Sequence, residues 1–281
     1  MGIAFLLLVV FVGILLTGLL RPSETTIALF SEMYEVPVTA ESRPIVERYI
    51  RGSRSVRMVG VFIGASAMVA VTATTDGSTN ATFYLSVGYG LGAVAYELFR
   101  RAPGSGGANL ARRHLDDYLH PLINRLTYIT TAVGVTVYVL HFIVDHEPDP
   151  LATIQIVEYR TIGTVALAGL LAAAVAARRI IQAPQPVISP AVDAAQHAIR
   201  SAGLMSLIGL SLMAAGIVNV GAVEVGRSDA PALLGDIVSW VGMTLAVVAL
   251  ILGFFLTVRS LPRFAPFWHK RPVIEPAASA S

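Results

Sequence analysis

Few residues in this chain have the types and spacing that chemistry needs. His141, Asp145, His146 and Glu147 fall close together, and His141 and Asp145 are one helical turn apart. Histidine and carboxylate are legitimate zinc ligands. His141, Asp145 and His146 are therefore the candidate metal ligands, although their spacing matches no established signature. His120 and His197 lie elsewhere and offer no axial pair for haem.

Other reactive patterns are missing. There is no GxxxxGK[ST] phosphate loop, no HExxH pair and no GxSxG elbow. The single lysine, Lys270, is near the C-terminus, so no retinal Schiff base can form within an apolar run. Cysteine is absent, which excludes disulfides and thiolate chemistry. No cofactor is expected from these residues.

The elements that would position any such group are apolar helices. Of 281 residues, 55% are hydrophobic and 14% charged, where soluble domains carry about 25% charged. A bilayer core needs roughly 20 apolar helical residues to cross it. Runs of about that length occur near 3–20, 57–74, 81–99, 127–144, 160–177, 202–221 and 233–257. The expected fold is an all-α, polytopic transmembrane bundle of about seven spans.

Arginine placement orients it. Arg43, Arg48, Arg51, Arg54 and Arg57 precede the second run. Arg100, Arg101, Arg112, Arg113 and Arg125 separate the third from the fourth, and Arg178, Arg179 and Arg200 separate the fifth from the sixth. Arg259, Arg263, Lys270 and Arg271 follow the last. The alternate connections are acidic or neutral, as in Asp145, Glu147, Asp149 and Glu158. The N-terminus is expected outside and the C-terminus inside. The first run lacks the basic start and the cleavage site of a signal peptide, so it reads as an anchor.

Spans two to seven read as three hairpins, each entered through a short arm. The arms contain Glu47-Arg48-Tyr49-Ile50-Arg51, Asp116-Asp117-Tyr118-Leu119-His120 and Gln196-His197-Ala198-Ile199-Arg200. The exits also recur, with Arg100-Arg101-Ala102-Pro103, Ala183-Pro184 and Ala265-Pro266. A triplicated unit explains both. The expected division is 1–43 for anchor and linker, 44–103, 104–184 and 185–266 for the hairpins, and 267–281 for a disordered tail.

Each arm has helical periodicity. Ile45, Val46, Tyr49 and Ile50 share a face in the first arm. Leu115, Tyr118, Leu119, Leu122 and Ile123 share one in the second, and Val192, Ala195, Ala198 and Ile199 in the third. Ser189-Pro190 reads as an N-cap and first helical position. The arms suit a lipid interface or a docking surface, for which Arg48, Tyr49, Arg51, Tyr118, His120 and Arg200 are the candidates. Ile27, Phe30 and Tyr34 predict a further short surface helix, ending near Pro37 and Pro44.

Small residues predict close helix packing: Gly60 and Gly64; Gly88, Gly90 and Gly92; Gly203, Ser206, Gly209 and Gly216. Thr127, Thr130, Thr131 and Thr136 are placed to bond across helices. Glu97, Arg160 and Asp236 fall near span ends, as anchors or ion-pair partners, with Glu158 opposite Arg160.

Arginine outnumbers lysine 19 to 1, and Ala, Gly and Val are abundant. This points to a high-GC bacterial genome and the bacterial plasma membrane. The stretches VERYIRGSRSVR (46–57) and DAAQHAIRSAGLMSLIGL (193–210) resemble uncharacterised actinobacterial multispanning membrane proteins. That resemblance implies a membrane fold and no particular activity.

Three functions compete. The first is a non-enzymatic structural or accessory subunit whose partners are the lipid bilayer and other membrane-complex subunits. The second is a permease component driven by a separate cytoplasmic ATPase. The third is a metal-dependent membrane enzyme or redox protein built on His141. Nucleic acid is not expected as a partner. Reporter tags inserted after Arg101 and after Asp149 should report opposite sides of the membrane; the same side for both would refute the orientation.

Overall fold

Lipid offers no water to backbone groups, so a chain this apolar satisfies them within helices. The computed structural model describes residues 22–74, 81–100, 108–109, 115–118, 120–143, 150–183, 185–186, 189–220 and 232–258. Among these residues there are seven α-helices: α1 (Glu24–Tyr34), α2 (Arg43–Thr74), α3 (Ala81–Phe99), α4 (Pro121–Ile143), α5 (Pro150–Gln182), α6 (Pro190–Asn219) and α7 (Ala232–Val258). Ala108–Asn109 and Gln185–Pro186 add a small antiparallel β bridge. Among the described residues, four stretches, within α2, α5, α6 and α7, are long and apolar enough to cross a membrane. The predicted first span, 3–20, and the tail, 267–281, lie outside the described residues.

α1 forms where Ile27, Phe30 and Tyr34 predict it, and all three are buried. Ser23 caps it by accepting from the Thr26 amide at 3.2 Å. Its C-cap, Glu35, is left-handed at φ 50°. Ser189 accepts from the Val192 amide at 3.4 Å and Pro190 opens α6, as the sequence predicts.

Two of the three arms are not separate from their spans. α2 carries one buried stripe through both, formed by Val46, Tyr49, Ser53, Arg57, Gly60 and Gly64. The spacing of three or four residues is one helical face. α6 likewise runs unbroken for 30 residues. The second arm differs. Leu115–Asp117 is a 3₁₀ turn, and a new helix starts at Pro121, which lacks an amide and disfavours helix in the residue before it. Leu122 is consequently exposed, while Tyr118 and Ile123 are buried; the single apolar face expected there does not form. α5 begins at Pro150, so nine residues that read as a loop, 150–158, are helical.

α6 is the centre of the bundle. Its most apolar stretch is 72% buried, against 22% to 33% in the other three candidate spans. α2, α3, α4, α5 and α7 all touch it. Large apolar side chains face outward around it, including Ile129 and Ile143 on α4 and Trp240, Val247, Ile251 and Phe254 on α7. Such a belt fits hydrocarbon rather than water.

Close packing comes from glycine. A Cβ on Gly88 would run into the Gly60 carbonyl, and one on Gly92 would sit 2.5 Å from the Val56 carbonyl oxygen. Thus α2 and α3 touch backbone to backbone. α6 and α7 do the same: a Cβ on Gly209 would lie 2.8 Å from the Gly253 oxygen, and one on Gly216 would lie 3.0 Å from the Ala246 oxygen. α4 and α5 meet differently, through Tyr138, whose ring fills the space beside Gly163 and whose hydroxyl is 2.6 Å from the Thr164 hydroxyl.

Three of the four α4 threonines expected to bond across helices bond along their own helix instead. Thr127, Thr130 and Thr136 donate to the carbonyls of Ile123, Leu126 and Ala132, each one turn back at 2.8–2.9 Å. A bond between α6 and α4 comes instead from buried Asn219, whose Nδ2 donates to the Thr130 carbonyl at 3.1 Å.

Gly88→Leu should lower stability by about 3 kcal/mol or more, because the contact is with backbone that cannot turn aside. Gly169→Ala is the control, since a Cβ there meets nothing within 4 Å; it should be neutral or gain about 0.5–1 kcal/mol of helix propensity. Thermal unfolding in detergent reads both, and equal behaviour would refute the packing account.

Candidate functional site

The starts of α2 and α6 meet the ends of α3 and α5 at one end of the bundle. There they leave an open cleft of about 490 Å³, within the 300–1,000 Å³ typical of ligand pockets. Its basic lining is Arg48, Arg100, Arg179 and Arg200, with Glu97 as the sole carboxylate among its lining residues.

α1 braces the adjoining wall. Phe30 and Tyr34 pack with Val46 and Tyr49 of α2 and with Ala195, Ala198 and Ala202 of α6. The apolar faces of the first and third arms are therefore used inside the chain. Arg43 reinforces this brace by bonding Glu24 of α1 and, at 2.8 Å, Glu47 of its own helix. Ser189 donates to Glu41 at 2.9 Å.

Glu97 lies at the floor of the cleft, with its side chain fully buried. Arg100 Nη2 is 3.5 Å from one carboxylate oxygen, and the Tyr49 hydroxyl donates to the other at 3.3 Å. The Arg100 guanidinium also covers the Tyr49 ring, 5.3 Å from its centroid. Tyr96 donates to the Tyr49 carbonyl at 3.2 Å. Gly203 makes room for the carboxylate: a Cβ there would approach Glu97 Cδ to 2.8 Å.

A second buried charge lies beneath the cleft. Arg57 donates to the Tyr89 hydroxyl at 3.0 Å and to Ser206 Oγ at 2.9 Å, linking α2, α3 and α6. Its guanidinium is 5.5 Å from the Tyr89 ring centroid. Arg57 is 8% exposed, so it belongs to the interior rather than to a solvated arm. Its two terminal nitrogens are met in this way, whereas its Nε has no hydrogen-bond partner among the described residues.

Of the docking residues the sequence singles out, Arg48, Tyr49 and Arg200 come together on the cleft. Arg51 is exposed away from it. Tyr118 is buried and stacks on His197, with ring centroids 4.8 Å apart. His120 is exposed, and its Nδ1 accepts from the Leu122 amide at 3.3 Å. The sequence places Gln196 in the third arm and Ser206 among the packing residues without giving either a site role, and puts Arg57 in a charged arm; Glu97, expected as an anchor or ion-pair partner, does pair with Arg100.

At the opposite end of the bundle, His141 is fully buried and packs edge-on against Tyr159, with centroids 4.4 Å apart. The Arg160 guanidinium donates to the His141 carbonyl at 3.5 Å. Asp145 and His146, its proposed co-ligands, lie outside the described residues, as does the Glu158 side chain expected to pair with Arg160. Among the described residues no three metal-ligating side chains cluster. Asp236 is exposed.

The apolar helices and their outward-facing side chains define a helical, multi-pass integral membrane protein. No family model, curated protein or solved structure matches the chain.

Removing Glu97 strands two groups, the Arg100 guanidinium and the Tyr49 hydroxyl. Glu97→Ala should cost about 2–3 kcal/mol, less than the 3–5 of a fully buried pair because Arg100 is partly solvated. Glu97→Gln keeps an acceptor for Tyr49 and should cost about half as much. Chemical unfolding in detergent gives the order; an unchanged Glu97→Ala midpoint would contradict the floor described here.

Proposed function

We propose that this protein is a non-enzymatic accessory subunit of a membrane complex, with its arginine-rich end in the cytoplasm and docked to a partner. The observation that carries this reading is the braced end. α1 is locked across α2 and α6 through Phe30, Tyr34 and Tyr49, so the arms form a fixed cap and not loose interfacial helices. Arg51 and Arg54 are exposed on that cap. Arginines carried on a fixed helix need no ordering of their backbone on binding and suit an acidic partner surface. The two stretches that resemble actinobacterial multispanning membrane proteins, 46–57 and 193–210, supply much of this end.

In this reading the six helices α2–α7 and the anchor at 3–20 make seven spans, with the N-terminus outside. The first and third hairpins share continuous arms and glycine-mediated pairing, which supports a common ancestral unit. The second would have diverged at Pro121.

A permease component driven by a separate ATPase is the second reading. It is favoured by the polar groups Arg57, Tyr89 and Ser206 lying between helices beneath the cleft. ATP-dependent flux on coexpression, lost when the ATPase is inactivated, would select it over the first.

The leading reading predicts a stoichiometric partner that copurifies in mild detergent and is lost from Arg51→Glu/Arg54→Glu without a change in melting temperature. A wild-type protein that behaves as an isolated monomer, or a double variant that keeps the partner, would defeat it.

A further inference from the structure

Among the described residues, the cleft is lined by more positive than negative side chains. Four arginines line it against the single carboxylate of Glu97, which is already engaged by Arg100 and Tyr49. Arg200 is 4% exposed, so part of this charge sits away from bulk water.

Gln196 is an independent indication. It is 5% exposed, it lines the same cleft, and its Nε2 has no hydrogen-bond partner among the described residues. An unmade bond at a buried amide costs about 1–3 kcal/mol. A ligand oxygen would remove that cost. Glutamine supplies a neutral donor beside the guanidinium donors, a combination that matches an oxyanion with several acceptor oxygens.

The lining also includes the apolar side chains of Ile45, Ile180 and Ile199. It can accept the carbon substituent of a phosphate ester. The cleft lies where helix ends meet, the level at which headgroup phosphates sit beside a membrane protein.

We propose that this cleft is a binding site for a phosphate group, held by Arg48, Arg100, Arg200 and the Gln196 amide. The phosphate arrives either as the headgroup of an anionic phospholipid or as a free phosphate. This goes beyond the accessory-subunit reading and does not depend on it, because Arg51 and Arg54 lie outside the cleft.

The test uses the full chain, purified in neutral detergent, with inorganic phosphate as one probe. The other is nanodiscs of phosphatidylcholine with or without phosphatidic acid. Saturable binding of either probe is expected, read as a rise in melting temperature or as a retained lipid in native mass spectrometry. Phosphate active alone identifies a free-phosphate site; a response only to phosphatidic acid identifies the headgroup.

Arg48→Gln should weaken binding on the order of tenfold, and Arg125→Gln, an exposed arginine outside the cleft, should leave it unchanged. Gln196→Glu separates binding from folding. It preserves volume and adds a carboxylate among the arginines, so the unliganded protein should melt higher while phosphate binding is lost. The proposal is overturned if neither probe binds, if Arg48→Gln binds like wild type, or if Gln196→Glu melts lower or retains binding.

Discussion

Helices in lipid gain nothing by hiding apolar surface from one another, since the surrounding chains are equally apolar. Association must come from contact distance, and here glycine sets that distance. Gly60, Gly64, Gly88 and Gly92 bring α2 and α3 to backbone contact. This closeness fixes everything at the arginine-rich end. Gly92 lies against Val56 and Arg57, so the same approach that joins the helices sets the depth at which Arg57 meets Tyr89 and Ser206. One turn nearer the helix ends, Gly203 lets Glu97 lie against α6, and Tyr49 and Arg100 close over it. Small residues and buried charges are therefore parts of one arrangement: the first create clearance, and the second occupy it with directed bonds.

The central position of α6 explains why its sequence is both apolar and rich in small residues. It must serve neighbours on almost every side, whereas α4 and α7 serve α6 on one face and lipid on the other. α7 accordingly presents Trp240, Ile251 and Phe254 outward while holding Gly253 against Gly209. The exposed apolar side chains that would threaten a water-soluble protein are here the surface that the bilayer solvates.

Much of the helical content could be read from local pattern. Ala81–Phe99 coincides with the run at 81–99, the Ser189-Pro190 cap forms, and the buried face of α1 follows from Ile27, Phe30 and Tyr34. Hydropathy alone failed where a charge lies on a packed stripe. Arg57 looked like part of a solvated arm, yet it is spaced three and seven residues before Gly60 and Gly64, and that register marks it as inward-facing. The α4 threonines misled for another reason: a carbonyl one turn back is always within reach, so a hydroxyl need not seek a neighbouring helix. The cleft itself was invisible, because it depends on four helix ends that are far apart in the chain.

The docking of α1 also constrains how the protein is made. Phe30 shares a buried cluster with Ala195, Ala198 and Ile199, roughly 165 residues later in the chain. At about 5–20 residues per second, α1 leaves the ribosome on the order of ten seconds before that surface exists. During the interval its apolar side has no protein to cover it, and the headgroup boundary is the natural temporary host for such a helix. Completion of the brace is then a late event of biogenesis, and the arginine-lined cleft acquires its final shape only after α6 has been made.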